Sequence, residues 1–171
     1  MNYIISGPGR VGGNLLASII TSSGQQSVQH THDPGFQFGN DWDSTLIILD
    51  RRNRFDAILS NAIVHHTGQS TSYPNKRAEP FELEPGLFRW GYVKHRDHYR
   101  GYDLSRPYAA VFKLYFEDFV SDPGSVKRLL NLSNRDSGFR TPAAPYNYRD
   151  VITNWEKLRR LFDLLEASNN D

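Results

Sequence analysis

Tyr3-Ile4-Ile5-Ser6-Gly7-Pro8-Gly9-Arg10-Val11-Gly12-Gly13-Asn14-Leu15-Leu16 is the stretch that decides how this chain is read. Its first four residues make a short buried strand. Gly7 to Gly13 carries glycine at 7, 9, 12 and 13 and proline at 8, a tight turn. Asn14 to Ser22 then sets Leu15, Leu16, Ile19 and Ile20 on one helical face, and Ser23-Gly24 stops that helix. A strand, a glycine turn and a helix in this order bring backbone N–H groups and the positive end of a helix to one point, which suits a phosphate. Arg10 adds a permanent charge with forked donors. The plain alternative is a strand–helix connection that needs glycine only for its geometry.

Outward from this stretch, strands and helices alternate. Val28 to His32 reads as a second strand, followed by the loop Asp33-Pro34-Gly35. Thr45 to Leu49 (TLIIL) is a near-continuous apolar run, as in a strand buried on both faces. Phe55, Ile58, Leu59 and Ile63 follow at helical spacing after the turn Asp50 to Arg54. Thr67 to Ser105, polar and rich in aromatics, reads as long loops with short pieces of helix. Ala109 to Tyr115 is a further strand. Asp122-Pro123 has the form of an N-cap with proline at the first helical position. Asn131 to Tyr148 reads as irregular. Asp150 is the expected cap of a last helix, on which Val151, Trp155, Leu158, Phe162 and Leu165 repeat by threes and fours and Glu156 and Arg160 can pair. The expectation is an α/β fold with a mainly parallel central sheet flanked by helices, over one domain spanning residues 1–171.

Bulk composition narrows the function classes. Twenty basic residues face 19 acidic ones, a net +1, so no global field draws the chain to nucleic acid or to a membrane. Cysteine is absent, which excludes disulfides, thiolate metal sites and a cysteine nucleophile. The N-terminus enters a strand at once, without the pattern of a signal peptide, and no apolar run approaches the roughly 18 residues that span a bilayer. A cytoplasmic protein is the expectation.

The glycine turn fits two patterns. Gly7, Gly9 and Gly12 satisfy the dinucleotide fingerprint G-x-G-x-x-G, with Asp33 at about the distance of a ribose-binding acid. That is the case for an NAD(P)-binding Rossmann protein. Gly7 and Gly12 also satisfy the first half of the P-loop pattern, but Gly13 and Asn14 stand at the Lys-[Ser/Thr] places. The phosphate lysine and the magnesium hydroxyl are both missing, which argues against a magnesium-dependent NTPase. A non-catalytic nucleotide-binding P-loop domain is the third reading.

A second constellation follows the buried strand. Arg52, Asp56 and Ser60 are spaced by four and four, with Arg52 at the strand end and Ser60 on the helix after it. An arginine and a serine there can grip a phosphate. This stretch resembles the 3′-phosphate-binding segment R-x-x-x-D-x-x-x-S of the sulfotransferases that use 3′-phosphoadenosine 5′-phosphosulfate. Three other segments resemble the same family in the same order. Arg10-Val11-Gly12-Gly13-Asn14-Leu15-Leu16 is similar to its 5′-phosphosulfate loop, Arg/Lys-Ser-Gly-Thr-Thr/Ser-x-Leu. Gln29-His30-Thr31-His32 is similar to its Lys-Thr-His strand end. Leu114 to Phe119 followed by Asp122-Pro123 is similar to the strand and helix after its acceptor region. The chain departs from the family at Gly13 and Asn14, which replace loop hydroxyls, and at His30, which replaces the lysine.

The resemblance implies a P-loop-type three-layer fold and a sulfuryl transferase. The donor would be 3′-phosphoadenosine 5′-phosphosulfate, bound by Gly9, Arg10, Val11, Gly12, Gly13, Asn14 and Leu15 at its 5′ end and by Arg52 and Ser60 at its 3′ end. His32 is the expected base, with His30 two residues away as the substitute, and Arg10 would stabilise charge on the leaving phosphate. The acceptor would be a small-molecule or carbohydrate hydroxyl or amine, and no metal is needed. His65 and His66, adjacent on a helix, diverge by about 100° and do not read as a metal pair. Arg89 to Arg106 carries five basic and two acidic residues, a net +3, among four aromatics. It reads equally as an acceptor-binding lid or an ordinary polar loop. Aromatics among arginines also suit single-stranded nucleic acid, which the balanced global charge disfavours.

Overall fold

A computed structural model describes residues 2–24, 27–35, 43–68, 79–133 and 148–169. The chain forms two compact units, the first made of Met1–Arg54 and Arg96–Thr141, the second of Phe55–His95 and Pro142–Asp171.

The first unit is built on four parallel strands, β1 (Asn2–Ser6), β2 (Ser27–Thr31), β3 (Ser44–Asp50) and β4 (Ala110–Tyr115). Their order across the sheet is β2-β1-β3-β4. Alternation along β1 splits its side chains between two faces. Tyr3 and Ile5 join Ile47 and Leu49 of β3 on one face. There they meet Leu16, Ile19 and Ile20 of α1 (Gly13–Ser22), the face that the sequence spacing marks. Phe119 of α4 (Phe116–Ser121) and Val126 of α5 (Pro123–Leu129) complete that layer. On the other face Ile4, Leu46 and Ile48 are covered by Tyr99, Tyr102 and Tyr108. Every residue of β3 is buried, as an apolar run without alternation requires. Asp122 accepts from the Ser125 N–H at 3.1 Å, so the expected cap with Pro123 behind it forms.

The second unit packs α2 (Arg54–Thr67, from Phe55 onward), the first part of α3 (Pro85–Arg100), α6 (Tyr148–Val151) and α7 (Trp155–Ala167). Phe55, Ile58, Leu59, Phe88, Tyr92, Leu158 and Phe162 share its core. Phe81 bridges Ile152 in parallel, and Asn154 bonds both backbone groups of Leu83.

An α/β architecture with an all-parallel four-stranded sheet flanked by helices is thus present. Two local expectations change. The stretch read as loops between Thr67 and Ser105 holds a helix of 16 residues, α3; residues 69–78 lie outside the described residues. Its buried seam is Phe88, Tyr92, His95 and His98, with the half-buried Tyr99 beyond, at helical spacing. Aromatics and histidines carry that seam where aliphatic residues usually do, so it reads as polar. The last helix starts after Asn154, not at Asp150, which sits inside the short α6. Two successive helices share the period that suggested one. The ion pair on α7 is Arg159–Asp163 at 3.4 Å. Of the stretch Asn131 to Tyr148, residues 134–147 lie outside the described residues. Among the described residues no helix is long and apolar enough to cross a membrane.

Candidate functional site

The strand order places a reversal at the centre of the sheet. The chain leaves β1 for β2 on one side, then crosses to β3 on the other. Ligands of open parallel sheets bind beyond the strand ends at such a reversal. The loop after β1 and the turn after β3, both in the first unit, flank that point.

The loop after β1 presents backbone. Gly12 is the N-cap of α1 at φ 88° and makes no side-chain cap bond, and the first turn of the helix has no acid. The Leu16 N–H is bonded to the Gly12 carbonyl at 3.0 Å. The N–H groups of Gly13, Asn14 and Leu15 come before any intrahelical acceptor, so this end keeps its positive character. Arg10 also takes a left-handed backbone, φ 71°. Gly12 has a second reason to be glycine. A Cβ there would lie 2.5 Å from the Phe116 ring and 2.9 Å from that of Phe119. Val11 is buried and Leu15 packs into the core, so these two can offer a ligand only their backbone.

Two histidines stand beside this loop. His32 Nδ1 donates to the Gly7 carbonyl at 2.8 Å. A carbonyl only accepts, so the neutral ring keeps its lone pair on Nε2, the form a general base needs. His30 meets it edge-on at 4.8 Å, and His30 Nδ1 bonds Asn14 Oδ1 at 2.8 Å. The base and its substitute expected from the sequence are thus in ring contact. Burial, and then His32, lower the His30 pKa. Behind them His98 is buried on α3, bonds Tyr102 through Nε2 at 2.7 Å and also bonds the His32 backbone. Burial, with the nearby His32, pushes it down to about 4. The phenols of Tyr99 and Tyr102 are pushed above their usual range, chiefly by burial.

The turn after β3 presents side chains. Arg52 lies against Asp118, with Nη2 2.8 Å from Oδ2 and Nε 3.2 Å from Oδ1, and its guanidinium stands 4.4 Å over the Tyr115 ring. Its backbone N–H donates to Glu117 at 3.0 Å. The contacts with Asp118 use Nε and Nη2, which leaves the Nη1 edge for a ligand. The Asp118 side chain holds the Arg52 pKa above its ordinary value. Ser60 is buried on α2 beyond this turn and belongs, with Asp56, to the second unit. A cavity of about 290 Å³ lies beside Tyr115 and Asp118, lined also by Phe119, Val126 and Leu129.

Four residues near these elements escape a reading by motif. Arg51 stacks 4.8 Å over Phe116, the ring that abuts Gly12, and lies 3.6 Å from Glu117. Asp50 ends β3 buried, gripped by Tyr99 at 2.9 Å and Lys113 at 3.1 Å. His98 and Lys113 reach this end of the sheet from segments read as loop and strand. Only Asp50 carries a sequence signal, an acid closing an apolar strand. His65 and His66 go to separate rings, His65 to Trp90 and His66 stacked on Phe81. Among the described residues no three metal-ligating side chains gather.

Comparison of the chain with protein-family models, curated proteins and solved structures finds no match. The functional reading rests on the residues themselves.

Proposed function

We propose that this protein binds 3′-phosphoadenosine 5′-phosphosulfate on a P-loop-type fold and transfers its sulfuryl group to a hydroxyl or amine of a small-molecule or carbohydrate acceptor. The observation that carries the reading is the bond from His32 Nδ1 to the Gly7 carbonyl. It fixes an imidazole, basic at Nε2, against a glycine loop whose helix end has no side-chain cap and no acid. A base and an anion site side by side suit transfer from an anionic donor.

In this reading the 5′-phosphosulfate lies on the N–H groups at the head of α1. The acceptor oxygen attacks sulfur as its proton passes to His32 Nε2. The bond from sulfur to the bridging oxygen breaks, and 3′,5′-adenosine bisphosphate leaves with its charge facing Arg10. Arg52 serves the 3′-phosphate.

The test is a titration with 3′,5′-adenosine bisphosphate, NADPH and ATP–magnesium. Bisphosphate binding that weakens in Arg52→Ala, with sulfate transfer that stops in His32→Ala, is the expected result. Binding of NADPH alone would overturn it in favour of the dinucleotide fingerprint. Binding without transfer to any acceptor in a broad panel would leave a non-catalytic nucleotide-binding domain.

A further inference from the structure

Arg89 to Arg106 reads from the sequence equally as an acceptor-binding lid or an ordinary polar loop, and the proposed reaction uses none of it. Its last part, residues 98–106, belongs to the first unit and meets the loop that carries His32. That loop needs support. The ladder between β1 and β2 ends at the pair Ser6–Thr31, so His32 is the first residue past it, and Asp33, Pro34 and Gly35 run on beyond the strand. The exposed His32 ring bonds the Gly7 carbonyl, a contact that lasts only while the backbone at 32 stays in place. Three residues of the segment take hold of the loop at different points. His98, buried near the end of α3, bonds the His32 backbone, and its Nε2 lies 2.7 Å from the Tyr102 hydroxyl. Gly101 lets the Pro34 ring close in: a Cβ there would stand 2.5 Å from Pro34 Cγ and 3.2 Å from Pro34 Cβ, and a proline ring cannot rotate aside. Arg106 Nη1 donates to the Gly35 carbonyl at 3.4 Å. The segment is itself anchored. Tyr99, Tyr102 and Tyr108 pack on Ile4, Leu46 and Ile48 of the sheet, and the Ala109 N–H bonds the Ser44 carbonyl at 2.9 Å.

We propose that residues His98 to Arg106 form the positioning element of the base, holding the loop His32–Gly35 so that the His32 ring stays bonded to Gly7 with its lone pair on Nε2. His98, Gly101 and Arg106 are positioning residues: they act on His32 through its backbone and the loop that follows it. The inference rests on the reading of His32 as the base, and it gives this part of the chain a role other than a lid. A neutral imidazole that is free in water exchanges between its two tautomers, whereas a carbonyl acceptor at Nδ1 selects the Nδ1–H form. The tautomer of His32 therefore reports whether the ring is held.

Long-range proton–nitrogen NMR correlation on the full chain, with isotope-labelled histidine rings, reads that tautomer at about pH 8, where imidazoles are neutral. His32→Gln assigns the signal. Wild type is expected to show His32 protonated at Nδ1. Gly101→Val, which drives the Pro34 ring away, and His98→Leu, which keeps bulk without a donor, should each turn that signal into a tautomer mixture. His98→Asn returns a donor close to the Nδ1 position and should restore the single form. The affinity for 3′,5′-adenosine bisphosphate should stay within about twofold of wild type in all three, since the element touches none of the groups assigned to the donor. Circular dichroism shows that each variant is folded, and the His98 pair carries the test if Gly101→Val is not. An unchanged tautomer in Gly101→Val and His98→Leu overturns this inference and leaves the donor site standing. Bisphosphate affinity that falls in step with the tautomer change overturns it too, as the mark of a merely structural role. A tautomer mixture in wild type, or no bisphosphate binding by wild type, overturns the proposed function with it.

Discussion

The two turns that leave the sheet at β1 and β3 offer donors of opposite kinds. The first offers backbone donors, with the helix end uncapped and side chains either packed away or displaced by a ring from β2. The second offers arginines whose charge is already answered, Arg52 by Asp118 and Arg51 by Glu117. Backbone donors need no counter-charge and cannot be relaxed away, so the first turn is preorganised. The second must share its charge between a carboxylate and a phosphate. Damage to the first should therefore be structural and large, and damage to the second electrostatic and moderate.

Four experiments would break or sharpen this contrast. The largest effect is expected at Gly12. Gly12→Val combines a left-handed backbone with collision against Phe116 and Phe119 and should destabilise the protein by about 3 kcal/mol or more, read by urea denaturation. A change below about 1 kcal/mol would mean the loop is not rigid.

Next comes the pH dependence of stability set by His98. Its folded-state pKa, about 4, lies below the unfolded value, so the unfolded chain binds the proton more readily. Its contribution is complete above about pH 6.5 and fades as pH falls towards 4. Allowing for partial solvent screening, the loss is on the order of 2 kcal/mol. His98→Gln should flatten that part of the pH–stability curve; an unchanged slope would assign it to other groups.

Arg52→Ala should weaken bisphosphate binding by roughly 10- to 30-fold, the worth of a charge-assisted contact, and leave stability almost unchanged because the ion pair is exposed. A large loss of stability instead would make Arg52 a strut. The smallest effect belongs to Asp118→Asn, which should tighten bisphosphate binding by up to about fivefold by removing the competing carboxylate. Weaker binding would show that Asp118 aims the arginine and does not compete for it.

Much of the first unit was legible in the residues. Tyr3–Ser6, Val28–His32, Thr45–Leu49 and Ala109–Tyr115 all fall on observed strands within a residue or two. Short apolar runs bounded by glycine, proline and charged turns leave few alternatives in a parallel sheet. The helix α3 was not legible, because its seam runs through Phe88, Tyr92, His95 and His98, and pattern-reading counts histidine as polar. At the candidate site, Arg10, Gly12, His32 and Arg52 are visible by spacing. Arg51, Asp50 and His98 are not, since their roles depend on neighbours 60 or so residues away, such as Glu117 from Arg51.

By itself the sequence determined an α/β chain with a glycine loop at the first strand end, because local turn chemistry and apolar periodicity are short-range properties. Tertiary structure alone decided which side chains surround that loop. Position 13 carries no side chain of its own, and the His30 ring that occupies its space comes from β2, which only strand pairing brings alongside. Asp118 reaches Arg52 in the same way, across 66 residues of chain. Such contacts are set by sheet order and register, which no local spacing encodes.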